Sequence, residues 1–337
     1  MRHYSLHRFL ALLLVAVGSA TMTMAQNVAK IGSTEYATLK EAVDAVQEGK
    51  KGYIYILNDA SFDDLSIEGK QIIFNLQNHT VTGNKIDVYG TEGTDTYLKI
   101  LDSKAKGISV DKTNNYKVSY TTSGTLELTG NISAYNGACI KVESGTVAST
   151  KDVALFAIGD ITGQKDIASS VEITGGYVKA QECCASPQGR GATVTVNGSA
   201  VLESLDNAVV AGNGTKGMGG TTINISGGTL TANPYDATSA ACGIYHPNEG
   251  TLTITGGIYS SDVSKYCVEG FTSIPNADGT YGISAVGDMM IVYDKSYADA
   301  CFLSLLLFLH RWLLKPNYLS TTIITVLTTH TDRHEHA

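Results

Sequence analysis

Three aspartates that lie close together, Asp59, Asp63 and Asp64, are the first side chains in the chain that could jointly hold a cation. Calcium is bound by several oxygen ligands that converge from carboxylates and carbonyls. These aspartates fall in a turn between two predicted strands, where acidic side chains are normally solvated. The sequence therefore predicts no metal site and no cofactor.

Hydrolysis of a glycosidic bond would need two carboxyl groups on either side of a cleft. Glu127, Glu172 and Glu203 occupy outward positions of predicted strands at similar offsets. Thr or Asn fills the matching positions of the later strands, so a stacked acidic ladder is not indicated. No catalytic residue is predicted. Enzymatic activity stays open, and a non-catalytic protein is favoured.

Aromatic side chains in variable loops are the best candidates for binding. Tyr135, Tyr235 and Tyr245 lie in such loops, where an aromatic face can stack on a sugar ring. His246 follows Tyr245 and could contact the same ligand. Ordinary packing at a rim explains these residues equally well. We predict that the four side chains form a glycan-binding edge.

The chain has six cysteines, which could pair if it is exported into an oxidising compartment. Cys242 and Cys267 occupy equivalent positions in the predicted repeats, and neighbouring strands bring Cα atoms within disulfide range. Free cysteines stacked inside a core as small apolar residues explain the same positions. A Cys242–Cys267 disulfide is therefore one of two open interpretations.

These side chains would be positioned by a repeating unit of short strands. Gly198, Gly227 and Gly256 recur at equal spacing, each after an alternating strand such as Thr-Val-Thr-Val. A second short strand, a variable loop and a strand of small residues follow each glycine turn. Three strands per period predict the coil of a parallel β-helix. A β-sandwich would not repeat the same turn at matching offsets.

The same pattern can be extended towards the N-terminus. It predicts that Thr125–Gly130 and Val171–Gly176 are equivalent strands separated by two coils. It also predicts one set of small-residue strands, which comprises Ala138–Ile140, Cys183–Ala185, Ala208–Val210, Ala241–Ile244 and Tyr266–Val268. Residues 53 to about 284 would then form on the order of ten coils, in a rod of about 50 Å.

The N-terminal 25 residues have the parts of a secretory signal peptide. The first eight residues are basic because they include Arg2 and Arg8. Phe9–Val17 is an apolar run that is too short to span a bilayer, and small residues follow it up to Ala25. We expect cleavage after Ala25, and hence a secreted or cell-surface protein.

An amphipathic helix is predicted directly after the signal peptide. Thr38 and Glu41 have capping-box spacing, and Leu39, Ala42 and Val43 recur at helical spacing. A single helix ahead of many strands would cover the apolar end of the first coil. Residues 26–52 are therefore predicted as an N-terminal cap.

Three segments resemble a known family. Ile31–Val43 and Gly69–Gly83 resemble the opening of pectin-lyase-like β-helix modules in exported surface proteins of Bacteroidetes-like bacteria, and Asn276–Gly282 resembles their closing segment. The resemblance implies an all-β fold, a single right-handed parallel β-helix over residues 53–290. Enzymes of this superfamily are polysaccharide lyases and hydrolases, but their clustered carboxylates and basic motifs have no counterpart in this chain.

Residues 291–337 depart from the repeat in composition. Residues 301–337 lack glycine and contain the only tryptophan of the chain, Trp312. Their apolar run is interrupted by His310 and Arg311, so it is shorter than a membrane span. Contact with a membrane is expected only if this tail is an anchor. The alternatives are that the tail forms a capping helix, or that it results from an error at the end of the gene or a shift of reading frame.

Composition narrows the function classes. The chain has 337 residues with 35 glycines, and its net charge of −8 argues against nucleic acid as a partner. The sequence predicts a monomeric, exported and non-catalytic surface β-helix for adhesion or for binding a polysaccharide or host glycan. An exported polysaccharide lyase or glycoside hydrolase is the alternative, and a plain spacer is a third.

Overall fold

A computed structural model describes residues 26–111, 117–205, 208–212, 220–232, 241–244 and 250–286. Within these ranges the chain forms strands, one α-helix and one short 3-10 helix. The predicted signal peptide and the predicted tail lie outside the described residues.

The N-terminal cap consists of β1 (Ala29–Ile31), β2 (Thr34–Tyr36) and helix α1 (Leu39–Asp44). The Thr38 hydroxyl accepts a hydrogen bond from the Glu41 N–H, and the Glu41 side chain accepts one from the Thr38 N–H. Leu39, Ala42 and Val43 are buried. The predicted capping box and amphipathic helix are therefore confirmed.

The following strands form coils of three strands each. The first two coils consist of β3 (Lys51–Ile56), β4 (Ala60–Ser61), β5 (Asp64–Glu68), β6 (Gln71–Asn75), β7 (Thr80–Gly83) and β8 (Lys85–Tyr89). The third coil contains β9 (Tyr97–Leu101), an inserted antiparallel hairpin of β10 (Lys106–Asp111) and β11 (Lys117–Thr122), then β12 (Thr125–Leu128) and β13 (Ile132–Tyr135).

Coils four to six repeat this order without a hairpin of their own. They consist of β14 (Cys139–Val142), β15 (Thr146–Ser149), β16 (Leu155–Ile158), β17 (Ser170–Ile173), β18 (Tyr177–Ala180), β19 (Ala185–Gln188), β20 (Thr193–Val196), β21 (Val201–Ser204) and β22 (Val210–Gly212). In coils seven and eight, β23 (Thr221–Thr231) and β25 (Gly250–Tyr259) each run through two strand positions, with β24 (Cys242–Ile244) between them.

Each strand pairs in parallel with the equivalent strand of the next coil, so the coils form three faces. We call them faces 1, 2 and 3, after the first, second and third strand positions of each coil. This arrangement is the predicted parallel β-helix. The described strands form seven complete coils and an eighth made by β25, fewer than the ten or so expected.

The core is built from inward columns in which one residue per coil stacks on the next. On face 1 the column contains Ile54, Phe74, Ile100, Val142, Ile173, Val196, Ile225 and Ile254, all buried. Alternate residues point outward, as the Thr-x-Thr pattern predicts. Burial of these columns is the main stabilisation of the rod.

Three of the predicted strand equivalences are wrong, and the third, Tyr266–Val268, is described with the cysteines below. Thr125–Leu128 pairs with Thr146–Ser149 on face 2, whereas Val171 and Ile173 belong to face 1. Cys139–Val142 likewise lies on face 1, not in the small-residue strands of face 3. The reason is that the β10–β11 hairpin lengthens coil three, and alternation alone does not distinguish one face from another.

Antiparallel strands cover both ends of the stack. At the N-terminal end Ala29 of β1 pairs with Ile56 of β3. At the other end a 3-10 helix (Ser264–Tyr266) leads into the hairpin of β26 (Phe271–Pro275) and β27 (Tyr281–Ala285), and Tyr281 pairs with Tyr259. Covered ends prevent pairing of the terminal coils with other chains.

The recurrent glycine turn lies between faces 1 and 2, where one coil rests directly on the backbone of the coil below. A Cβ atom on Gly175 would lie 2.4 Å from the Glu143 carbonyl oxygen, and one on Gly256 would lie 2.3 Å from the Ser226 carbonyl oxygen. A backbone atom cannot move aside without shifting its whole coil. The turn therefore requires glycine, because a larger residue would push neighbouring coils apart.

We expect Gly256→Ala to lower the free energy of unfolding by about 1–3 kcal/mol, because it overpacks this backbone contact. The neighbouring Thr255→Ala, at an exposed position, should stay within about 0.5 kcal/mol of the wild type. Urea unfolding followed by circular dichroism measures both. Equal stability of the two variants would contradict the stacking argument.

Candidate functional site

Of the predicted glycan-binding residues, only Tyr135 lies within the described residues. Tyr235, Tyr245 and His246 lie outside them. Tyr135 is the last residue of β13 on face 3, where its half-buried side chain points outward. The structure therefore gives the surroundings of one member of the predicted edge.

The Tyr135 ring stacks on Tyr89, which is its register partner on β8. The two ring centroids are 4.9 Å apart and the ring planes differ by 15°. The ring face of Tyr135 that lies against Tyr89 is therefore not open to a sugar. Tyr89 was not predicted from the sequence, since its pairing with Tyr135 spans the inserted hairpin.

The other outward side chains of β8 are linked to Tyr89. Lys85 Nζ lies 2.8 Å from Asp87 Oδ2, and the hydrogen bond and charge of Asp87 raise the pKa of Lys85. Burial raises the pKa of Tyr89, and the nearby Asp87 carboxylate adds to the effect. With both pKa values raised, Lys85 is an ammonium and Tyr89 a protonated phenol at neutral pH.

A groove of about 530 Å³ lies between helix α1 and face 3 of the first two coils. The helix side contributes Lys40, Asp44 and Glu48, and the strand side contributes Asp64, Ser66, Glu68, Lys85 and Asp87. Lys70 also lines it. Lys40 pairs with Asp44 at 2.5 Å, and Lys85 pairs with Asp87 at 2.8 Å. Carboxylates outnumber ammonium groups in this lining, so the groove is acidic on balance.

Cys242 and Cys267 are free thiols in this structure, and the possible disulfide between them stays a prediction. They do not occupy equivalent positions: Cys242 pairs with Val210 on face 3, whereas Cys267 bridges to Ile254 on face 1. Burial raises the pKa of the Cys242 thiol far above its ordinary value and that of Cys139 to about 11. These cysteines act as small apolar residues.

The aspartates near the first turn are used by the backbone and by structural side chains. Asp59 Oδ1 accepts a hydrogen bond from the Thr80 N–H at 2.8 Å, and Asp64 Oδ1 accepts one from Asn84 Nδ2 at 2.8 Å. Among the described residues, no group of three or more His, Cys, Asp or Glu side chains is arranged to hold a metal ion.

The three outward glutamates do not converge. Glu172 lies on face 1, 3.1 Å from Lys141 Nζ. Glu127 and Glu203 share a column of face 2, but Ala148 and Lys179 lie between them. No two of these three glutamates therefore face each other across a cleft. Glycoside hydrolysis requires such a pair of carboxyl groups.

A continuous neutral surface lies on face 1 of coils six to eight, and we call it the hydroxyl platform. Thr193, Thr222 and Thr251 stack in one outward column, and Thr195, Asn224 and Thr253 stack in the next. The platform comprises Thr193, Thr195, Asn197, Thr222, Asn224, Ser226, Thr251, Thr253 and Thr255. Its members are half-buried or exposed, and none is charged or aromatic.

Most side chains of the hydroxyl platform are uncommitted. Thr253 Oγ1 donates to Asn224 Oδ1 at 2.6 Å, which leaves the Asn224 amide group as a donor. The hydroxyls of Thr193, Thr195 and Thr222 have no hydrogen-bond partner among the described residues. The platform therefore presents ordered donors and acceptors to solvent.

No protein-family model, no curated protein and no solved structure matches the chain. Within the described residues, no helix has the length and apolarity needed to cross a bilayer. The geometry of the faces is thus the basis for a functional interpretation.

A separate carboxylate, Asp160, organises the loop between coils four and five. Its Oδ1 accepts from the Thr162 N–H at 2.8 Å and its Oδ2 accepts from the Lys165 N–H at 2.9 Å. The Thr162 hydroxyl also donates a hydrogen bond to Asp160, and this bond has the largest effect on the pKa of the carboxyl. Together the hydrogen bonds lower the pKa of Asp160 from 3.8 to about 2. Because the folded pKa is depressed, the stabilisation is complete above the unfolded pKa and disappears as the pH falls through the folded one.

We therefore expect Asp160→Asn to lower the melting temperature at pH 6. The NH2 group of the asparagine would face backbone N–H donors and could not accept their hydrogen bonds. The difference from the wild type should shrink between about pH 4 and pH 2, where the wild-type carboxyl protonates. Thermal unfolding at each pH measures this. Asp166→Asn is the control, since it removes only an exposed ion pair with Arg190. A difference independent of pH would contradict this account.

Proposed function

We propose that the protein is an exported, non-catalytic β-helix that binds neutral polysaccharide or glycan through the hydroxyl platform and serves adhesion at the cell surface. The observation that carries the proposal is the platform itself, three successive coils whose outward face 1 positions are Thr, Ser or Asn.

The chemistry of the platform matches that of a sugar. Hydroxyl and amide groups both donate and accept hydrogen bonds, as sugar hydroxyls do. The absence of charge among Thr193, Thr195, Thr222 and their neighbours favours an uncharged ligand over an acidic one.

Rigidity of the strands supports binding. Threonine is β-branched and has few side-chain conformations to lose. Each platform strand is held by parallel pairing to the coil below it. Groups that are ordered before binding lose less entropy when a ligand arrives. With rungs about 4.8 Å apart, the platform spans roughly 10 Å across three coils, enough for a few sugar rings.

The proposed location follows from the N-terminal sequence. The basic Arg2, the apolar Phe9–Val17 and the small Ala25 have the order of a signal peptide. These residues lie outside the described part of the chain. Export would bring the platform into contact with polysaccharides of the cell surroundings. The predicted sugar contact of Tyr135, on a different face, stays a prediction.

We expect the full chain to be retarded in native gels that contain a neutral polysaccharide. Replacing Thr195 and Thr222 by valine keeps the β-branched shape and removes two hydroxyls. At about 0.5–1.5 kcal/mol per hydrogen bond, the double variant should bind roughly tenfold more weakly. Thr82→Val removes an exposed hydroxyl from face 2 and is the matched control, which should bind like the wild type.

Two results would overturn the proposal. One is equal retardation of the wild type and the double variant, or no retardation in any neutral polysaccharide. The other is release of sugar products from plant or host polysaccharides, with or without calcium, which would identify an exported lyase or hydrolase instead.

A further inference from the structure

The stacked tyrosines of face 3 are not used by the proposed function, and their geometry has a chemical consequence of its own. Tyr89 and Tyr135 are outward register partners in adjacent coils, with ring centroids 4.9 Å apart and planes within 15° of parallel. Both side chains are half-buried, so their outer edges reach solvent. Two phenols are thus held together where a soluble oxidant can approach them.

Asp87 supplies a proton acceptor next to one of these phenols. It lies two residues before Tyr89 on the same outward side of β8. Burial, and after it the charge of Asp87, raise the pKa of Tyr89. Lys85 Nζ lies 2.8 Å from Asp87 Oδ2 and gives that carboxylate a cationic partner. Removal of an electron from a phenol is accompanied by loss of its proton. A positioned base therefore favours oxidation of Tyr89.

We infer that Tyr89 and Tyr135 are a site of oxidative cross-linking, at which hydrogen peroxide and a haem peroxidase join the two rings into a dityrosine. Each phenol loses one electron to the peroxidase and one proton, from Tyr89 to Asp87 and from Tyr135 to water. The two radicals form one carbon–carbon bond between ring carbons adjacent to the oxygens. Each ring then transfers the hydrogen of that carbon to its oxygen through solvent.

The reaction balances. Two ring C–H bonds are lost, one C–C bond is formed, and one hydrogen peroxide is reduced to two waters by the two electrons and two protons that leave the rings. The half-buried position on the outward face lets the ring edges turn towards each other to form the bond. Asp87 is a positioning residue that passes its proton on to solvent.

The cross-link would tie coil two to coil three. It would close the segment from Tyr89 to Tyr135, which includes the inserted β10–β11 hairpin. The two tyrosines lie 46 positions apart in the sequence. A covalent link across a long loop restricts the unfolded chain more than the folded one. The described cysteines are free thiols and provide no such link.

A second tyrosine pair provides an internal comparison. Tyr53 and Tyr55 have ring centroids 4.7 Å apart, but their planes are tilted by 37° and they lie on the same strand. The Tyr53 hydroxyl also accepts a hydrogen bond from Asn75 Nδ2 at 3.2 Å. Because the ring distances are similar, a preference for Tyr89 and Tyr135 would come from their parallel stacking across adjacent coils, from Asp87 and from the Asn75 contact that holds Tyr53.

The test is treatment of the dilute full chain with horseradish peroxidase and hydrogen peroxide, followed by digestion and mass spectrometry. We expect a linked peptide pair containing Tyr89 and Tyr135 that is lighter by two hydrogens, with dityrosine fluorescence. The oxidised chain should melt several degrees higher. Tyr135→Phe should abolish the product, Asp87→Asn should slow it several-fold, and Tyr55→Phe should leave it unchanged.

Tyrosine-to-phenylalanine variants keep the stacked ring, and circular dichroism before oxidation verifies their fold. Dityrosine mainly between chains, or mainly at Tyr53 and Tyr55, would overturn the inference. So would a Tyr89–Tyr135 product that forms at the same rate in Asp87→Asn, because the carboxylate would then have no part in it. Polysaccharide binding is measured by gel retardation and cross-linking by mass spectrometry. A negative result in one assay therefore leaves the other proposal unaffected.

Discussion

In-register stacking of coil on coil is the constraint on which every other feature of this protein depends. Each inward residue has an equivalent residue above and below it, as Val142 has Ile100 and Ile173. A slip of one residue in any strand would turn its apolar side chains outward and its threonines inward. Glycine turns such as Gly175 and Gly256 allow the coils to approach closely enough for the strands to pair. The caps then protect the two ends, where stacking stops.

The same stacking determines what the surface can do. An outward side chain has its nearest neighbours in adjacent coils, so surface properties run in columns along the rod. Tyr89 meets Tyr135, Lys141 meets Glu172, and Thr222 lies between Thr193 and Thr251. A column of like residues makes a uniform face without any long loop. This is why the candidate sites are flat faces and a shallow groove.

Local features and the stacking of the regular repeats could be predicted from the sequence, whereas the positions of residues next to an insertion or past the end of the repeat could not. The Thr38–Glu41 capping box and the alternation from Thr193 to Ile254 depend on residues near each other in the chain, and both were predicted. The face of Thr125 was assigned wrongly because the inserted hairpin interrupts the repeat. Tyr89 was missed for the same reason. The predicted equivalence of Cys242 and Cys267 is wrong because the regular repeat ends before Cys267.

Face 1 itself divides into a charged half and a neutral half, and the division bears on where a ligand would bind. In coils three to five, Lys99 pairs with Glu143, Lys141 pairs with Glu172, and the Lys141 ammonium lies 5.6 Å from the centre of the Tyr97 ring. Such exposed pairs contribute little stability. The charged groups of each pair already bind each other, so a ligand would have to break the pair before it could bind there. In coils six to eight no such pair is present among the described residues, and water alone competes for the platform hydroxyls. Under the function proposed above, a neutral glycan would have fewest existing contacts to displace on the half of face 1 that lacks charge.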